Sequence, residues 1–185
     1  MKTLRLGLMA LITAAAIQSP AQAGTMFLGG YPNQLMVIDE AKGSVTQEID
    51  LKTGLPMSMR LSDDGKLLYV TTLTTGGIEV LDVATRKVVN SFSLNTPQVR
   101  YRFNGGVPDR TGRYFYIAGT RIDKGLDAFR IGKQQFMVVD LQTKQVVRTA
   151  DLDAEDQKFG PRGPLMLSPD GKTLYAFRDK VLVVN

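Results

Sequence analysis

The 185-residue sequence predicts an all-β fold made of repeated four-stranded sheets. Three observations point there. Two turn signatures recur in a fixed order along the chain, short runs of Val, Ile, Leu, Tyr and Thr lie between them, and after residue 23 no stretch repeats its apolar residues at helical spacing.

Residues 1–23 stand apart as an export signal. Lys2 and Arg5 make a positive start, Leu6 to Ile17 is an apolar stretch too short to span a bilayer, and Ser19-Pro20 interrupts it before the small-residue site Ala21-Gln22-Ala23. Cleavage after Ala23 is expected, so the mature chain starts at Gly24 as a periplasmic or secreted protein. No later segment is apolar enough to be transmembrane. Without cysteine, the exported domain takes nothing from disulfides.

Residues 24–185 read as one partial repeat domain. Gly24 to Leu51 supplies three strands, Leu55 to Leu94 four, Val99 to Leu152 four and Pro164 to Asn185 three. The first signature is a glycine turn leading into a strand that carries a Tyr: Ser62-Asp63-Asp64-Gly65 before Tyr69, Asp109-Arg110-Thr111-Gly112 before Tyr116, and Ser168-Pro169-Asp170-Gly171 before Tyr175. Glycine supplies the positive φ that a tight hairpin needs. The second is an apolar strand ending in Asp or Asn: Val37-Ile38-Asp39, Val80-Leu81-Asp82, Val138-Val139-Asp140 and Val183-Val184-Asn185. An Asp or Asn there accepts a hydrogen bond from the backbone just beyond it. These Asp and Tyr residues are therefore read as structural.

Asp39 and Asp82 are 43 residues apart and Gly65 and Gly112 47, while the later intervals lengthen to 58 and 59 through inserted segments. A basic period of about 40 to 45 residues is that of a four-stranded blade in a β-propeller of the WD40 kind. Fourteen strands amount to three and a half blades, and propellers close with about four to eight. The expectation is an N-terminal part of a larger propeller, or a half that closes as a homodimer.

The segment Leu61 to Val89 resembles the YVTN repeat of bacterial β-propellers, with Tyr69-Val70-Thr71-Thr72 departing from the eponymous tetrad only at its last residue. Leu165 to Asn185 is a second, interrupted match. The opening Gly30 to Asp39 and the long insertion in the next full blade resemble the β chain of quinohaemoprotein amine dehydrogenase. That resemblance implies a chain without cofactor of its own, whose redox groups sit on partner subunits. No catalytic residue carries over.

Composition narrows the chemistry in the same direction. With neither His nor Cys, the chain has no imidazole base, thiolate nucleophile or Cys/His zinc site. No catalytic or metal residues are assigned. The loop from Asp151 to Pro164 starts like a calcium loop but has Asp156 and Arg162 where such a loop needs Gly and Glu. Charge is the feature with functional colour: Asn95 to Gln135 holds eight basic residues against Asp109, Asp123 and Asp127. An exported protein does not meet nucleic acid, so an anionic ligand, an acidic protein or a lipid headgroup is the expected counterpart. Within this window Thr120 to Lys133 reads as a long loop between two strands of one blade, and Arg121, Asp123, Lys124, Asp127 and Arg130 are its candidate binding residues.

The expected function is that of a non-catalytic recognition or scaffold subunit, with another protein chain, such as a redox subunit, as partner. Two alternatives belong to other classes. A propeller hydrolase of lactonase type would gather carboxylates and a metal in a central channel, and a structural envelope protein would show regular blades without insertions.

Overall fold

The computed structural model describes residues 24–157, 163–177 and 180–185; the segment expected to be an export signal and Arg162 lie outside them. Fourteen described strands form four antiparallel sheets in chain order. Sheet I holds β1 (Thr25–Gly30), β2 (Gln34–Asp39) and β3 (Ser44–Asp50). Sheet II holds β4 (Pro56–Leu61), β5 (Leu67–Thr72), β6 (Gly77–Asp82) and β7 (Lys87–Ser93). Sheet III holds β8 (Val99–Pro108), β9 (Tyr114–Lys124), β10 (Phe129–Asp140) and β11 (Gln145–Asp151), and sheet IV β12 (Leu165–Leu167), β13 (Leu174–Phe177) and β14 (Val181–Val184). The one described helix is the single turn α1 (Ala154–Gln157), and no described helix is long and apolar enough to cross a membrane.

The predicted turns do the folding work locally. Gly65, Gly112 and Gly171 have φ of +69°, +69° and +71°, and each donates its N–H to the carbonyl three residues back, at Ser62, Asp109 and Ser168. After the other signature, Asp82 accepts from the Thr85 N–H and hydroxyl, and Asp140 from the Gln142 and Thr143 N–H groups. The residue four after each Asp takes positive φ: Gly43, Arg86 and Lys144. The register then shifts at the same place in all three sheets, at Val37/Ile38, Val80/Leu81 and Val138/Val139. A bulge repeated in this way marks one structural unit used three times.

Packing joins the sheets face to face in sequence. Period-two alternation along β5 sends Leu68 and Val70 toward Leu35 and Leu51 of sheet I, and Leu67 and Tyr69 toward Phe115 and Ile117 of sheet III. On the far side of sheet III, Val107 and Ala118 meet Leu165, Leu174 and Ala176 of sheet IV. The first strands β4, β8 and β12 lie side by side. Successive meanders of three or four strands that share cores, sheets II to IV aligned by their first strands, make the molecule propeller-like. Matched by their turns, β1 corresponds to β5, so sheet I has no described strand in the place of β4, and sheet IV none in the place of β7. The faces of these two sheets turned from the shared cores carry half-exposed Met26, Leu28, Met166, Val181 and Val183.

The turn carboxylates also set the acid response. Hydrogen bonds hold Asp64, Asp82, Asp140 and Asp170 below the ordinary value of 3.8, chiefly from the Ser62 hydroxyl, the Thr85 N–H, the Thr143 N–H and the Ser168 hydroxyl; the Lys42 side chain does the same for Asp39. A carboxylate lowered in the folded state stabilises fully above its unfolded value and loses that contribution as pH falls through the folded one. Melting temperature is therefore expected to be flat from about pH 5.5 to 8, where no His or Cys titrates, and to fall below about pH 4. Circular dichroism melts across that range check it.

Candidate recognition site

The strands of sheet III outgrow their counterparts. Where β5 and β6 have six residues each, β9 has 11 and β10 has 12, and their pairing runs on to Phe129 opposite Lys124. The segment Thr120 to Lys133, expected as a loop, is therefore mostly an extended hairpin, closed by a turn in which the Gly125 N–H reaches the Ala128 carbonyl at 2.9 Å. β8 follows as a third strand, with Val99 opposite Asp123 and Arg100 opposite Ile122. Gly119 permits this at its base, because a Cβ there would stand 2.3 Å from the Arg102 carbonyl oxygen. Backbone pairing accounts for the difference from expectation: charged residues alternating with Ile122 and Ile131 have few β-branched neighbours, yet a twisted three-stranded ladder satisfies their N–H and C=O groups.

The five predicted binding residues all lie on this flap but do not act as one cationic group. Arg121 and Asp123, two apart on β9, share a face and bond at 2.9 Å, and Arg130 stands across from Asp123 on β10. The Asp123 carboxylate holds the Arg121 guanidinium above its ordinary pKa. Lys124 reaches the Thr96 carbonyl at 3.4 Å, and Asp127 sits exposed in the turn. Neighbouring cations are likewise engaged: Lys133 with Asp151, Arg113 with nearly buried Asp140, and Arg110 with Asp63.

Sequence reasoning missed the other half of the surface. Directly opposed residues share a face, which groups Ile131, Ile122 and Arg100, with Phe129 beside Lys124. Phe129 is 69% exposed and Ile131 76%, and Leu126 at the tip is fully exposed. Ile122, Phe129, Ile131, Arg100 and Arg102, together with Leu73 and Gly76 of the β5–β6 turn, line a concave space of about 440 Å³. Period-two alternation on both sides of Gly125-Leu126-Asp127-Ala128 is the signal that would have found this hairpin. Exposed aromatic and aliphatic side chains among arginines are the composition of a protein-binding surface. Among the described residues, no group of three or more His, Cys, Asp and Glu side chains is placed to hold a metal ion.

No known family model matches the chain, and no curated protein sequence does. Among the solved structures that match is a chain of Kuenenia stuttgartiensis hydrazine synthase, with a TM-score of 0.53 and 22% identity, over 78% of this chain and 35% of that one. What the two share is the fold. This chain spans about a third of that chain's length, and the resemblance to the amine dehydrogenase β chain remains an expectation from sequence.

The acidic segment after β11 belongs to the framework. Gln157 of α1 donates to the carbonyls of Gln134 and Leu152 and accepts from the Gln134 N–H, fastening the segment to the root of the flap. Asp156 pairs with Lys180 at 2.7 Å.

Proposed function

We propose that this chain is an exported, non-catalytic β-propeller part that recognises a protein partner within a redox complex of several chains. The flap built from β8, β9 and β10 carries this reading, because a regular sheet has been lengthened only where exposed apolar and basic side chains are displayed. Further support comes from the leader-like N-terminus, from the resemblance to a cofactor-free amine dehydrogenase subunit, and from the fold shared with a hydrazine synthase chain. The propeller closes through further blades of the whole protein, or through a second copy, laid against the apolar outer faces of sheets I and IV.

Isolation of the native assembly from the periplasmic fraction tests the proposal. The expected result is a chain beginning at Gly24 that co-elutes in fixed ratio with a subunit absorbing in the visible through haem or a quinone cofactor. An uncut cytoplasmic chain, or a chain that runs alone and turns over a lactone, would overturn it.

A further inference from the structure

We infer that the concave space between the flap and the β5–β6 turn is a socket for a large apolar side chain carried on a carboxylate-rich segment of the partner protein. The inference rests on the recognition reading above and gives that partner its chemistry. Leu73, Ile122, Phe129 and Ile131 make the apolar wall, and Arg100 and Arg102 stand at its side. Among the described residues neither arginine has a carboxylate within ion-pair distance, whereas Arg110, Arg113, Arg121 and Lys133 each have one. A ligand entering the space thus meets apolar surface first and two uncompensated guanidinium groups beside it. An arginine fork favours carboxylates, which it can bind in two places at once.

Other occupants fit less well. A small molecule would leave Phe129 and Ile131 standing largely exposed above it, whereas a protein surface covers both the space and its rim. A second copy of this chain would offer its acidic run Asp151 to Asp156, but the one large apolar residue there, Leu152, is already buried. A protein partner with carboxylates flanking an exposed apolar side chain satisfies both the wall and the arginines.

Photocrosslinking in the native host tests this without knowing the partner's identity. Ile131→p-benzoylphenylalanine is compared with the same replacement at Val147, a half-exposed position on β11. The expected result is one defined protein adduct from position 131 and none from 147, and the crosslinked peptide should hold a large apolar residue flanked by Asp or Glu. Arg100→Glu combined with Arg102→Glu should cut that adduct by about tenfold or more with the melting temperature kept, since both side chains are exposed. An adduct to lipid, to a small molecule, to another copy of this chain or to a peptide without carboxylates would overturn the inference. So would the absence of an adduct, or a yield indifferent to the charge reversal. If the native complex forms while any of these is seen, only the socket is lost; if no complex exists, the recognition reading falls with it.

Discussion

Phe115→Ala is expected to cost about 3 to 5 kcal/mol, which is of the order of a third of a typical domain's whole stability. The ring is fully buried on β9 between sheets II and III, stacked on Tyr69 with centroids 5.6 Å apart and planes 21° from parallel. It is the large side chain through which two rigid sheets meet, so neither can collapse into the hole. Urea unfolding of the wild type and variant, each in its native state of assembly, measures the effect. Tyr69→Phe is the informative control. The Tyr69 hydroxyl is buried without a hydrogen-bond partner among the described residues, and burial pushes its pKa up. Removing that oxygen keeps the stack and should be neutral or stabilising. A loss above about 1.5 kcal/mol would show that the hydroxyl has a partner after all.

The second large effect is expected at Glu79. Its side chain is 1% exposed on β6, where the matching positions of the other sheets hold Met36, Met137 and Leu182. One carboxylate oxygen accepts from the Thr53 N–H at 2.7 Å and the Thr53 hydroxyl at 2.8 Å, while the other is buried without a partner among the described residues. Thr53 lies in the connection from sheet I to sheet II, and its carbonyl accepts from the Thr72 and Thr75 hydroxyls. Glu79 is thus the pin that holds the two sheets' connection in place. Glu79→Ala strands a buried N–H and opens a cavity, for a loss of about 2 to 4 kcal/mol. Glu79→Gln keeps the accepting oxygen and removes the charge, so its loss should stay below about 1 kcal/mol. Equal losses in the two variants would mean that charge, not the hydrogen bonds to Thr53, is what matters there.

Much of the fold was legible because turn chemistry is local. Gly65, Gly112 and Gly171 announce positive φ, Asp82 and Asp140 announce their turns, and the strands between them follow by alternation, so the grouping of three, four, four and three strands agrees with the structure sheet for sheet. What stayed hidden depends on partners distant in sequence. Nothing beside Glu79 in sequence marks it as buried, since its partner Thr53 lies 26 positions earlier. Arg121 and Asp123 neutralise each other only once a strand places residues two apart on one face, and a charged stretch around Gly125 reads as loop. The apolar half of the site, Ile122, Phe129 and Ile131, leaves no trace in the charge pattern and shows only once β9 and β10 pair and bring these side chains to one face.

The claim that the flap is the recognition surface is tested most directly by replacing residues 120–134 with Leu73-Thr74-Thr75-Gly76, the turn that closes the matching strands of sheet II. Gly119 and Gln135 pair as Thr72 and Gly77 do, three residues after the strand Tyr and five before the turn Asp, so the graft ends the hairpin where β5 and β6 end theirs. Affinity of the purified subunits for each other, measured with the wild-type and grafted chains, gives the answer. The account predicts that association weakens by at least about a hundredfold, because the anchors of an interface carry most of its energy, while the grafted chain keeps its β-sheet spectrum and a cooperative melt. A grafted chain that folds and binds its partner as tightly as the wild type would contradict it.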